Sequence, residues 1–84
     1  MRRRSRLLQT ILSGRSDANI RFNDLLVLLR RMGFDERIRG SHHIFTKDDL
    51  DEVVNVQPQD GQAKPYQVRQ IRQLILRYEL EEVN

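Results

Sequence analysis

The apolar residues of this chain change their repeat at Gly33, and that switch constrains the fold more than any other feature. Phe22, Leu25, Leu26 and Leu29 recur at i, i+3, i+4 and i+7, with Leu28 and Met32 widening the stripe. That spacing predicts an amphipathic helix. Asn23 and Asp24 suit its positive end and Arg30 and Arg31 its negative end, and Gly33 is placed to stop it. From Phe34 the period becomes two: Phe34, Glu36 and Ile38 alternate with Asp35, Arg37 and Arg39. Gly40-Ser41 supplies a tight turn and His42 to Thr46 reads as a returning strand, which makes a hairpin. Lys47 to Glu52 reads as a polar connector. Val53, Val54 and Val56 predict a third strand, closed by Gln57-Pro58 because proline cannot continue an interior ladder.

Helices flank these strands. Pro58 to Lys64 reads as a glycine-containing loop, and Pro65 suits a helix first turn. Val68, Ile71, Leu74, Ile75 and Tyr78 then mark a final amphipathic helix with Arg69, Gln73 and Arg77 on its outer face. At the other end, Leu7, Leu8, Ile11 and Leu12 predict a short helix within Arg2 to Leu12, stopped by Gly14 and joined to the next by a polar connector, Arg15 to Asn19. The order is α-α-β-β-β-α, an α+β class fold. No element can bury its apolar side alone, so the helices are expected on one face of a three-stranded antiparallel sheet, with the other face open. Double-stranded-RNA-binding domains share this architecture, a likeness that assigns no function by itself.

Size and composition narrow the classes further. With 84 residues and no cysteine, the chain has one thin core, no disulfide and no thiolate metal site. Its longest apolar run, Leu25 to Leu29, is far short of the ~20 residues that span a bilayer, so no membrane partner is expected. Gln9 and Thr10 interrupt the apolar stretch that a secretory leader would need. Charge is divided unevenly: residues 1 to 47 carry 11 Lys/Arg against 4 Asp/Glu, and residues 48 to 84 carry 4 against 8. Arg2, Arg3, Arg4 and Arg6 account for most of the excess, and a basic end of this kind fits a polyanion or simply a solubilising terminus.

Few residues can do chemistry. No nucleophile elbow, phosphate-binding loop, dinucleotide fingerprint or paired-histidine metal motif occurs. The run Asp48, Asp49, Asp51, Glu52 lacks calcium-loop spacing and reads as a solvated connector, so no metal or other cofactor is expected. Tyr66 and Tyr78 could stack on bases, but their places on the last helix read as packing. What remains is His42 and His43. Adjacent in a strand, they must face opposite sides of the sheet, one toward the helices and one toward solvent. An imidazole can take the proton of a ribose 2′-hydroxyl or give one to a leaving oxygen, and RNA supplies its own nucleophile. Arg37, Arg39 and Lys47 flank the hairpin and can hold phosphates; Ser41 and Lys64 join them as candidate RNA contacts.

The segment Gly40-Ser41-His42-His43-Ile44-Phe45, preceded by a helix ending Arg31-Met32-Gly33-Phe34, resembles the HicA family of toxin-antitoxin mRNA interferases. The resemblance runs from about Ile20 to Leu80 and implies residues 19–84 as the toxin domain, with 1–18 an arginine-rich extension of no assigned role. It further implies a metal-independent endoribonuclease that cleaves mRNA and arrests growth. By position, the catalytic histidine is His42, with His43 the second candidate because a one-residue shift exchanges them. The implied partners are mRNA and a HicB-type antitoxin protein; the toxin would be a monomer when free, part of a higher-order complex with antitoxin, and cytoplasmic in a bacterium or archaeon. Many family members end the third strand with a histidine where Gln57 stands here. Two other readings compete: a non-catalytic RNA-binding module of the same fold, and a protein-interaction domain.

Overall fold

A computed structural model describes residues 4–83 and contains three α-helices, α1 (Arg6–Ser13), α2 (Phe22–Arg31) and α3 (Pro65–Tyr78). Between α2 and α3 lies an antiparallel sheet of β1 (Asp35–Arg39), β2 (His42–Thr46) and β3 (Val54–Val56), in the order β1-β2-β3. The expected α+β architecture is present. Arg2 and Arg3, where the first helix was expected to begin, lie outside the described residues.

The switch at Gly33 is a helix stop followed at once by a strand. Gly33 adopts φ 90°, a conformation that disfavours other residues, and the Phe34 N–H returns to the Leu29 carbonyl at 3.2 Å. Phe34 is thereby driven into the core, where its ring meets Phe45 edge-on at 6.4 Å. Gly40 is the only one of the two hairpin-loop residues with positive φ, the pattern of a type II′ turn, and it sets Arg39 opposite His42. That register decides both faces. Glu36, His43, Phe45, Val54 and Val56 point toward the helices, while Arg37, Arg39, His42, Ile44 and Asn55 point away.

Three expectations need correction. Pro58 to Lys64 is not a plain loop: β4 (Pro58–Gln59) pairs with β5 (Gln62–Ala63) in a second, small hairpin. It is stitched to the start of α2 by Phe22 N–H to the Gly61 carbonyl (3.0 Å) and Ala63 N–H to the Ile20 carbonyl (2.8 Å), so backbone pairing that local sequence does not reveal gives it order. Val53 falls outside β3 and is exposed, because the alternation that buries Val54 and Val56 turns it to the open face. Tyr66 and Tyr78 are exposed rather than packed; the Tyr78 hydroxyl is bound at the helix end by the Glu52 carboxylate.

One core serves the whole chain. Leu8 and Ile11 of α1 are buried in the same cluster as Leu25, Leu29, Phe45, Val54 and Ile71. Arg72 of α3 fastens the joint, donating to the Ile11 carbonyl (3.1 Å) and to both Asp17 oxygens (2.8 and 3.1 Å). The Arg72 guanidinium holds the Asp17 carboxyl below its ordinary range. The connector thus contains a 3-10 turn, Asp17–Asn19, that presents Asp17 to α3.

Candidate active site on the open sheet face

His42 and His43 stand at the start of β2 and face opposite ways, as strand alternation requires. His42 is exposed on the open face. Its Nδ1 lies 3.1 Å from the Asn55 amide oxygen across on β3, and Arg39 is its direct partner on β1. An amide oxygen only accepts, so in this contact His42 Nδ1 is the donor, and a neutral ring held this way has its lone pair at Nε2. His43 turns toward the helices, where the Phe22 ring meets it edge-on at 5.2 Å and its Nδ1 lies 2.7 Å from Glu36 Oε2. Glu36 is itself bound by two Arg30 nitrogens, at 2.7 and 3.0 Å. That guanidinium, then the His43 contact, holds the Glu36 carboxyl below its usual range, so Nδ1 of His43 is a donor too.

Both imidazoles therefore donate through Nδ1, but their settings differ. His43 is hemmed in by an aromatic ring and an anchored carboxylate, its side chain 18% exposed. His42 meets solvent on the same face as a groove of about 560 Å³ lined by Arg37 and Arg39, by the acidic Asp35 and Glu36, and by Ile44, Thr46 and Val53. Because they lie on opposite faces, the pair cannot flank a single phosphodiester as acid and base.

The sheet brings together only some of the residues singled out from sequence. Arg37 and Arg39 share the open face with His42, and Ser41 is exposed in the adjoining turn. Lys47 does not join them. It lies past the far end of β2, about 16 Å along the strand from His42 by strand rise, and its ammonium stands beside Gly33 at the negative end of α2. Lys64 is the N-cap of α3 in the helix layer, where its carbonyl accepts the Gln67 and Val68 N–H groups. Sequence reasoning passed over Asn55, although a lone amide in Val-Asn-Val is a signal: asparagine is poor in strands, and its alternate position puts it on the open face. The Arg30–Glu36–His43 cluster joins a helix end to two strands and has no comparable signature.

Among the described residues, no three His, Cys, Asp or Glu side chains converge on a metal site, and no helix is long and apolar enough to cross a membrane. Within the acidic run, Glu52 is engaged by Tyr78 and by Arg77 at 3.1 Å. Comparison with curated proteins and with solved structures finds no match. A family model described as the HicA toxin of bacterial toxin-antitoxin matches residues 22–77, from the first residue of α2 to the last turn of α3. With more than half of its length matched, and with the α-β-β-β-α core the resemblance implied, the chain belongs to the HicA toxin family.

Proposed function

We propose that this toxin is a metal-independent endoribonuclease that cleaves mRNA on the open face of its sheet, with His42 as the general base. The observation that carries the reading is the placement of His42. It is exposed, opposite Arg39, and its Nδ1–H is occupied by Asn55, which leaves Nε2 free to accept a proton. Nε2 would take the proton of a ribose 2′-hydroxyl. The 2′-oxygen attacks the adjacent phosphorus, the bond to the 5′-oxygen breaks, and that oxygen leaves with a proton from solvent while a 2′,3′-cyclic phosphate remains. Arg37 and Arg39 would hold phosphate oxygens, and Arg39, the cross-strand partner of His42, would offset the charge that builds up in the transition state. Ser41 adds a hydroxyl at the turn, and Lys47 and Lys64 lie away from the reacting phosphate.

A toxin of this kind works against an antitoxin. We assign a HicB-type protein to that role, with the free toxin a cytoplasmic monomer that enters a larger complex when neutralised. Covering the open face would silence His42 and both arginines together.

Purified wild-type, His42→Ala and His43→Ala proteins incubated with long RNA, with and without chelator, test the assignment. The expected result is chelator-resistant cleavage by wild type and its loss in a folded His42→Ala protein, by about 10²-fold or more. Full cleavage by His42→Ala together with loss in a folded His43→Ala protein would pass the role to the helix-facing histidine. RNA binding without cleavage by wild type would leave a binding module.

A further inference from the structure

The open face contains one residue that the packing of the sheet does not explain. Asn55 is the middle residue of β3, between the fully buried Val54 and Val56, and lies opposite Ile44. A strand position of this kind favours a β-branched side chain, and asparagine weakens it. Breaking a local rule without a packing gain is characteristic of a site under functional demand. The amide has one observed engagement: its oxygen is 3.1 Å from His42 Nδ1. Register makes that contact possible, since His42 is two residues from Ile44 on the same face of β2 and so sits diagonally across from Asn55.

We infer that Asn55 is the positioning residue of the site, holding His42 as the Nδ1–H tautomer with Nε2 turned to the substrate. The inference rests on the ribonuclease reading above and deepens it. Free histidine favours the proton on Nε2, the wrong form for a base acting through that atom; an acceptor at Nδ1 reverses the preference and restrains the ring. A neutral amide does this without adding charge. The Glu36 carboxylate performs the same geometric task for His43 but adds a negative charge, which phosphate approaching the ring would oppose. On the open face, where a polyanion must come close, the neutral anchor is the compatible one.

Long-range nitrogen-proton NMR on the free protein near neutral pH reads the tautomer without any RNA. Wild-type His42 is expected with a protonated Nδ1 and a bare Nε2, and Asn55→Ala is expected to shift it to the Nε2–H form while His43 stays unchanged. Asn55→Asp keeps an acceptor and should restore the Nδ1–H form. In cleavage assays Asn55→Ala should lower kcat about tenfold with KM little changed, the scale of losing a histidine's outer partner. Asn55→Asp should recover part of the rate, with the acid limb of the pH–rate profile moved upward, because a carboxylate favours imidazolium. A wild-type His42 protonated on Nε2, or a tautomer indifferent to Asn55→Ala, overturns the role of Asn55 whether or not RNA is cut. Undiminished cleavage by His42→Ala overturns instead the ribonuclease role of His42, and the NMR result separates the two failures.

Discussion

On the helix-covered face of the sheet, His43 lies beside Phe22, an anchored Glu36 and the buried Val56; on the open face, the residue before it is exposed beside Arg39 and held by one amide. The same strand thus carries two imidazoles with opposite obligations. The covered side is governed by packing: Phe45, Val54 and Val56 are fully buried there, and His43 is tolerated because its Nδ1 meets a Glu36 carboxylate that Arg30 also binds. The open side is governed by what it presents. Its arginines lie around a groove that Asp35, Ile44 and Val53 also line, and neither arginine is in the buried core. The contrast teaches that stability and chemistry are divided by the pleat of one short sheet, so substitutions one residue apart should have unrelated consequences.

The largest expected effect breaks or upholds that division directly. Phe45→Ala should cost about 3–5 kcal/mol in denaturant unfolding, whereas the neighbouring Ile44→Ala should cost under about 1 kcal/mol. Comparable losses at both positions would mean that the open face is covered within the folded chain. Next, Arg72→Ala should cost about 2 kcal/mol, because it leaves Asp17 and the Ile11 carbonyl without their shared donor. That loss would show α1 to be part of the covered side even though the family match begins at residue 22.

Acid sensitivity distinguishes the faces more finely. The Arg30 guanidinium, with His43, keeps the folded Glu36 carboxyl below its ordinary value. A lowered carboxyl contributes stability that is whole above the unfolded carboxylate pKa of about 4.3 and is lost as pH falls through the lower folded value. Tm measured against pH should therefore fall less steeply below about pH 4 in Glu36→Gln than in wild type, while Arg39→Ala leaves that slope unchanged. The smallest effect belongs to the open face. Arg37→Ala and Arg39→Ala should each reduce the salt dependence of RNA binding by about one in slope, with Tm unaltered. A drop in Tm instead would make those arginines structural.

Much of the covered side was legible in the sequence because period carries it: the stripe from Phe22 to Met32, the alternation after Phe34 and the stripe from Val68 to Ile75 each match an element. Gly33 and Gly40 were legible as punctuation, since only special dihedrals fit there. The small β4–β5 hairpin was not, because its order comes from pairing with Ile20 to Phe22, some forty residues earlier. The opposed facing of His42 and His43 followed from alternation alone. Their partners did not, for Asn55 and Glu36 are brought to them by register across strands and, for Glu36, by a helix end that supplies Arg30. Lys47 looked close to His42 in sequence and is separated from it by the length of β2.

The most direct test of the account is the rate at which folded His42→Ala protein cleaves long RNA relative to wild type, with circular dichroism and Tm confirming that the fold is kept. The account predicts a fall of about 10²-fold or more with an unchanged Tm; cleavage at the wild-type rate by that folded variant would contradict it.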